Sequence, residues 1–373
     1  MGSVPSTPSR HPSYSAVIFQ KRKGAMDSKY KKEYKRRALH AGSWYENSKK
    51  DLNETLTSYL SDAEMILNQN PSQCTVDSSK LENGIEKQKV EKSCNGIPKA
   101  IIAPHAGYSY SGPTAAYAYA SLREAVKSGS VETILVLHPS HHVRLDGCAL
   151  SGAKSLMTPL GELAVDDVVR RELLETGRFS VMEQRDDEQE HSGEMQYPFI
   201  YKALMKEEDD NSMRTTIKDI RVLPIMIGNV HASKAMLFGE LLAPIIARTN
   251  VFTVISTDFC HWGERFQYTP FERDQNKKKQ KIFQYIQWLD NVGMNHIEMQ
   301  DPGAFQLYLK KTRNTICGRF PLTVWLNAVQ FNREEKIQAL DVQFLRYAQS
   351  SQIEDQFDSS VSYASGVARL SSF

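Results

Sequence analysis

Histidine, cysteine and carboxylate residues recur in this chain just after stretches that read as strands. The segments are AIIAPHAGY (100–108), TILVLHPSHHV (133–143), FTVISTDFCHWG (252–263) and NTICGRFPL (314–322). Open α/β sheets form their ligand sites where strand ends meet the following loops. His105, His141, His261 and Cys317 are therefore candidates to converge in space, together with Asp258. Imidazole, thiol and carboxylate are the donors of a transition-metal site, or the groups of an acid–base site.

Each segment has a structural reading beside the chemical one. His105 precedes Ala106 and Gly107, and the glycine permits a sharp turn with close approach of a ligand. A structural histidine and a ligand fit that position equally. HPSHHV (138–143) offers three imidazoles, of which one strand-end loop aims a single one at a common centre. In an extended chain His141 and His142 point apart. Asp258 in DFCHWG (258–263) either fixes an imidazole tautomer by accepting its second N–H or caps the next helix. EHSGEMQYP (190–198) puts His191 and Glu194 on one face if helical, but lacks the HExxH spacing of zinc proteases. Cys317 is an inert buried thiol, or a thiolate ligand or nucleophile if a cation or metal lowers its pKa. Arg319 beside it pairs either with an anionic ligand or with a surface carboxylate. The chain contains no P-loop, GxGxxG or GxSxG pattern, which argues against a nucleotide-driven enzyme or an α/β-hydrolase.

These residues need a scaffold, and the pattern between them supplies one. Strand-like stretches at 101–103, 134–137, 148–150, 220–227 and 251–255 alternate with helical spacing at 114–126, 165–174, 192–205 and 234–247. Such alternation predicts an α/β fold, a single domain with a central, mainly parallel twisted sheet and helices on both faces. A helix over 52–67 precedes it, a helix-rich stretch (273–333) follows, and strands close the chain at 342–347 and 361–369. Ser192 is a candidate cap for the helix over 192–205. The folded domain is expected over 37–373. Residues 71–98, polar and poor in large apolar groups, read as a disordered insertion carrying Cys74 and Cys94.

Composition bounds the function. The 373 residues are 40% hydrophobic and 24% charged, without a membrane-length apolar run or an opening secretory pattern. Five cysteines without CxxC spacing fit a reducing compartment such as the cytoplasm. Net charge is +2, yet residues 1–40 hold ten Lys and Arg against Asp27 and Glu33, a balance of +8, which leaves −6 for the remainder. A mildly acidic body argues against a nucleic-acid-binding core. Residues 1–36 read as a disordered basic arm suited to acidic partners or an anionic membrane surface, with Gly2 and Ser6 loosely matching an acylation signal.

Taken in order, HAGSWY (40–45), AIIAPHAGY, PSHHV, EHSGEM, STDFCHWG, NTICGR and YAQSSQ (347–352) resemble the Memo family, mediators of receptor-tyrosine-kinase-driven cell motility. The resemblance runs from residue 40 to SSVSYASG (359–366). It implies a fold similar to class III extradiol dioxygenases, which are non-haem iron enzymes. It implies that His105, His141 and Cys317 bind a metal ion, iron or copper. His261 and Asp258 would stand at the neighbouring positions, with His261 matching the acid–base histidine of the dioxygenase relatives. Trp44 and Tyr110 would line the same pocket, implicated in binding phosphotyrosine peptides, and His191 and Glu194 are counted with them. Non-haem iron oxygenases use two histidines and a carboxylate, and a thiolate in place of the carboxylate favours copper(I) or a more covalent iron site. The expected function is therefore a metal-binding signalling protein, cytoplasmic with the nucleus as a second location, that links receptor tyrosine kinases, adaptor proteins and redox state to cytoskeletal regulators in migration. A non-haem oxygenase and a metal-free phosphopeptide scaffold are the alternatives. His138 and Phe320 depart from the family pattern, standing where a small residue and a histidine are usual.

Overall fold

The structure is a computed structural model that describes residues 34–69, 96–205, 217–270 and 281–371. In chain order its strands are β1 (Lys35–Arg36), β2 (Pro98–Ala103), β3 (Thr133–Pro139), β4 (Cys148–Leu150), β5 (Ser155–Met157), β6 (Glu162–Val165), β7 (Phe179–Val181), β8 (Arg221–Ile227), β9 (Val251–Ser256), β10 (His261–Trp262), β11 (Ala339–Gln349) and β12 (Ser360–Ser371). The helices are α1 (Lys49–Gln69), α2 (Tyr108–Lys127), α3 (Asp167–Glu175), α4 (Gln184–Gln189), α5 (His191–Glu194), α6 (Tyr197–Leu204), α7 (Ala232–Ile246), α8 (Ile282–Glu298), α9 (Pro302–Thr312) and α10 (Arg319–Glu334).

One sheet organises them, with the order β1-β5-β6-β8-β3-β9-β2-β12-β10. Its centre, β6-β8-β3-β9-β2, is parallel throughout. Antiparallel pairs flank it, with β5 on β6 at one side and β12 on β2 at the other. The expected parallel core is thus present within a mixed sheet. Every residue of β2, β3 and β9 is buried. A strand buried on both faces needs helices above and below, and reads as an unbroken apolar run rather than an alternating one. α1, α2 and α6 pack with one another in one helical layer, while α7, α9 and α10 form another. In α1 the layer contact is made by Leu52, Leu56 and Leu60, fully buried and four residues apart. Burial of each such side chain contributes about 1.5–3 kcal/mol.

Several boundaries differ from expectation. The described residues begin at Tyr34, and just after it β1 pairs with β5 while Arg36 is buried at 1% exposure. Residues 34–36 therefore belong to the body, and the remainder of the expected arm (1–33) lies outside the described residues. Most of the expected insertion, with Cys74 and Cys94, also lies outside them, although Pro98 already starts β2. The single helix expected over 192–205 is two, α5 and α6, and Glu190 rather than Ser192 caps the first. Pro198 near the start of α6 explains the restart, since proline has no N–H to continue a preceding turn. α2 starts at Tyr108 and runs through Pro113. The short strands β5, β6 and β7 carry too little periodicity to read from sequence.

Candidate functional site

Strands β2, β9 and β3 lie side by side and end together. His105, Asp258 and His141 each stand two residues beyond the last residue of these strands, Ala103, Ser256 and Pro139. Parallel pairing in register thus carries three distant loops to one place. Cys317 arrives differently. No strand precedes it; it lies in the loop between α9 and α10. Gly318 lets α10 dock on the end of β9, because a Cβ there would come within 2.3 Å of Thr257 Cβ and 2.5 Å of the Ser256 carbonyl oxygen. Cys317 Sγ consequently sits 3.0 Å from His105 Nε2 and accepts the Asp258 amide N–H at 3.1 Å.

Two donor groups meet at His105. One comprises His105, Asp258 and Cys317, and the other His105, His141 and His191, with the ligand atoms of each group within 4.8 Å of one another. The partners of the rings set their protons. Ser256 Oγ donates to the Ser192 carbonyl oxygen at 2.8 Å, so it accepts from His105 Nδ1 at 2.8 Å. His105 then holds its proton on Nδ1 and turns the Nε2 lone pair to Cys317. His261 Nδ1 faces the carbonyl oxygens of Phe259 at 2.9 Å and Thr315 at 3.2 Å, so it too carries the proton on Nδ1. His141 Nδ1 donates to Glu190 Oε1 at 2.8 Å, and its backbone N–H donates to Glu190 Oε2 at 2.6 Å. A carboxylate behind an imidazole in this way orients a ligand nitrogen.

Burial and neighbouring charge set the protonation states. Burial, with the His141 charge, holds His105 neutral, and the same causes push His191 down to about 3. Burial would lower His141 as well, but Cys317 and Glu190 outweigh it and raise the ring to about 10. Glu190 is correspondingly held well below the carboxylate range, its burial overcome by His141 and the other imidazoles. Burial raises the Cys317 thiol against the pull of His141. Burial also lifts Asp258 to about 7, although the amides of His105 and Ala106 oppose it.

Several expected roles fall elsewhere. Asp258 does not orient His261. Its Oδ1 accepts the His105 amide at 2.8 Å, while backbone carbonyls hold His261. Glu194 is fully buried and saturated by its own chain, accepting from Arg36 Nη1 at 2.7 Å, Tyr45 hydroxyl at 2.8 Å and the amides of Leu39 and His40. It anchors the 36–45 segment rather than facing a ligand. His141 and His142 do not diverge, since the loop bends and both rings approach His191, at 4.6 Å and 5.8 Å between centroids. Trp44, 37% exposed, reaches the cluster by stacking on His191 at 4.5 Å. Tyr110 is 64% exposed in the first turn of α2. His138 is buried beneath the loop, with Nδ1 3.2 Å from Ser192 Oγ and Nε2 without a partner among the described residues. Glu190 and His40 are additional members, the latter 6.0 Å from His191 and 3.0 Å from Glu194. Glu190 adjoins the quoted EHSGEM histidine, but nothing in its spacing reveals that it faces His141.

A cavity of about 470 Å³ opens onto the centre, lined by His141, His261 and Cys317 with Arg144, Arg319 and Phe320. Trp44 and Tyr110 are not among its lining residues. Nε2 of His261, left unprotonated by the carbonyl contacts at Nδ1, is suited to accept a proton or a hydrogen bond there.

Residues 36–367 match the family model described as Memo-like protein. The chain is 39% identical over 335 residues to the protein memo-1 homolog of Caenorhabditis elegans, covering 90% of this chain and 83% of that one. It is 40% identical to Protein MEMO1 of Danio rerio and 38% identical to Protein MEMO1 of Homo sapiens, covering in each case 89% of this chain and 96% of the relative. Among solved structures, an uncharacterized Escherichia coli K12 protein aligns with a TM-score of 0.39 and 12% identity over 72% of this chain and 99% of that one.

Proposed function

Since this chain belongs to the Memo-like protein family, we propose that it is a metal-binding signalling protein whose His105, His141 and Cys317 hold an iron or copper ion. The observation that carries this reading is the 3.0 Å approach of His105 Nε2 to Cys317 Sγ, with Asp258 in the same donor group. The donor set fits such an ion. The tautomer of His105 leaves Nε2 unprotonated, His141 offers its nitrogen once its proton is released, and the mixture of imidazole, sulfur and carboxylate suits first-row transition metals. Bound there, the ion would supply electron-transfer or Lewis-acid chemistry. The chain's own residues orient the donors, with Ser256 behind His105 and Glu190 behind His141. Because His141 and Cys317 carry protons without an ion, binding releases protons and strengthens as pH rises. Metal analysis of purified protein tests the reading. The expected result is near-stoichiometric iron or copper that is lost in His105→Ala and in Cys317→Ser; equal metal content in all three proteins would overturn it.

The proposed role is relay of receptor tyrosine kinase signals to cytoskeletal regulators in cell migration, with influence on redox state, from a cytoplasmic location. The partners would be receptor phosphopeptides or adaptor proteins, not nucleic acid. No described helix is long and apolar enough to cross a membrane. Trp44, half-exposed on His191, is the aromatic surface best placed to meet a peptide. Trp44→Ala should therefore weaken binding of a phosphotyrosine peptide about ten-fold or more while the circular dichroism spectrum stays unchanged. Undiminished affinity refutes that placement. A ring-opening oxygenase is the weaker reading, because the Cys317 sulfur is readily oxidised by such chemistry.

A further inference from the structure

Among the described residues Arg319 has no carboxylate partner. Its guanidinium, half-buried in the wall of the cavity, donates from Nη1 to the Ile316 carbonyl oxygen at 3.1 Å and lies 4.7 Å from the centre of the Phe320 ring. A guanidinium carries five N–H donors, and no acidic side chain pairs with this one among the described residues. Burial of a charge without a counter-charge is costly. The sequence leaves two partners open for Arg319, an anionic ligand or a surface carboxylate. The second is absent from the described residues.

The surroundings extend the same field. A second cavity of about 470 Å³ adjoins the first and shares Thr315, Arg319 and Phe320 with it. It adds Lys310 and Arg313, while the first contributes Arg144, and neither lining includes an Asp or Glu. Lys310, Arg313 and Arg319 form no ion pair with a carboxylate among the described residues, while Arg144 lies in the field of Asp146, whose own ion pair is with Lys234. This cationic path crosses a chain whose residues beyond 40 sum to −6. Clefts of one sign concentrate ligands of the other.

We propose that Arg319 anchors an oxyanion, the carboxylate or phosphate of a small ligand whose flat apolar part lies along Phe320 and Phe266 and whose near end faces Cys317 and His261. The planar guanidinium fork matches an oxyanion in two parallel hydrogen bonds, which a lysine point charge does not reproduce. Phe266 and Phe320 both line the cavity. The proposal rests on the reading of this cavity as the functional one, but not on the identity of the ion.

Titration calorimetry of the purified full chain with benzoate, phenyl phosphate and orthophosphate tests it, with metal content measured on the same samples. Saturable binding to the wild type should weaken about ten- to a hundred-fold in Arg319→Gln, recover in part in Arg319→Lys, and fall with added salt. Preference for benzoate identifies a carboxylate ligand, and preference for phenyl phosphate or orthophosphate identifies a phosphate. Far-UV circular dichroism confirms that the variants fold. Absence of saturable binding of all three probes to the wild type overturns the proposal, as does equal binding to wild type and Arg319→Gln. Metal-free protein that still binds anions through Arg319 sinks the metal assignment alone. Metal-replete protein that binds them independently of Arg319 sinks this inference alone.

Discussion

At the scale of single residues, the buried carboxylates of this protein divide by what surrounds them. Glu194 meets cations and many donors and is held down at about 2 despite its burial. Asp290 meets only neutral donors. It accepts from the Cys260 amide at 3.2 Å, Asn314 Nδ2 at 2.9 Å and the Tyr347 hydroxyl at 2.9 Å, and burial lifts it to about 6. Its folded pKa lies above the unfolded value of 3.8, so between those two pH values the native state keeps a proton that the unfolded chain has released. Stability from this group is therefore fully present below the unfolded pKa and is lost as pH rises through the folded one, each pKa unit being worth about 1.4 kcal/mol. Asp290→Asn should remove that component. Urea unfolding of both proteins at several pH values from 4 to 7 checks it, and parallel profiles for wild type and variant would contradict the assignment. Such a difference between two buried carboxylates is invisible in sequence, because it depends on which groups fold around each.

At the scale of elements, β1 is short but decisive for the cluster. Two residues of strand bring Arg36 under the site, where it bridges Asp187 at 3.1 Å and Glu194 at 2.7 Å, all three nearly solvent-free. Glu194 then holds His40, and the segment that follows lays Trp44 on His191. Replacing one partner of a buried ion pair strands the other charge, at a cost of about 3–5 kcal/mol. Arg36→Leu should destabilise the fold by that order in urea unfolding and broaden the Trp44 environment in fluorescence; a loss under ~1 kcal/mol would mean that Glu194 finds other cations. The long elements, β3, β8, β9, α7 and the 52–67 helix, are legible from apolar runs and helical spacing. β1 is not, because two residues have no period, and Lys35 and Arg36 belong by composition to a basic arm. The split of α5 from α6 is masked by the continuous apolar spacing over 192–205, although Pro198 marks the restart, and the start of α5 is set by Glu190, which caps it while holding the His141 loop.

At the scale of the whole molecule, the candidate centre ties together segments from residues 105, 141, 258 and 317. An ion bound only by the folded arrangement stabilises it by mass action, about 2.7 kcal/mol at a hundred times its dissociation constant. Chelation should therefore lower the thermal midpoint of wild-type protein while leaving Cys317→Ser unmoved, as read by differential scanning calorimetry. An identical response in both would separate the ion from Cys317. Sequence alone determined the strand–helix alternation, the parallel centre of the sheet, the family and the list of donor residues, because local spacing and residue chemistry are properties of the chain itself. The tertiary structure decided which donors meet at His105, which hydroxyl, carbonyl or carboxylate directs each imidazole, and that Arg319 pairs with no carboxylate among the described residues. Those depend on registers between strands and on close approaches such as that at Gly318, where residues far apart in the chain meet and no local pattern records the meeting.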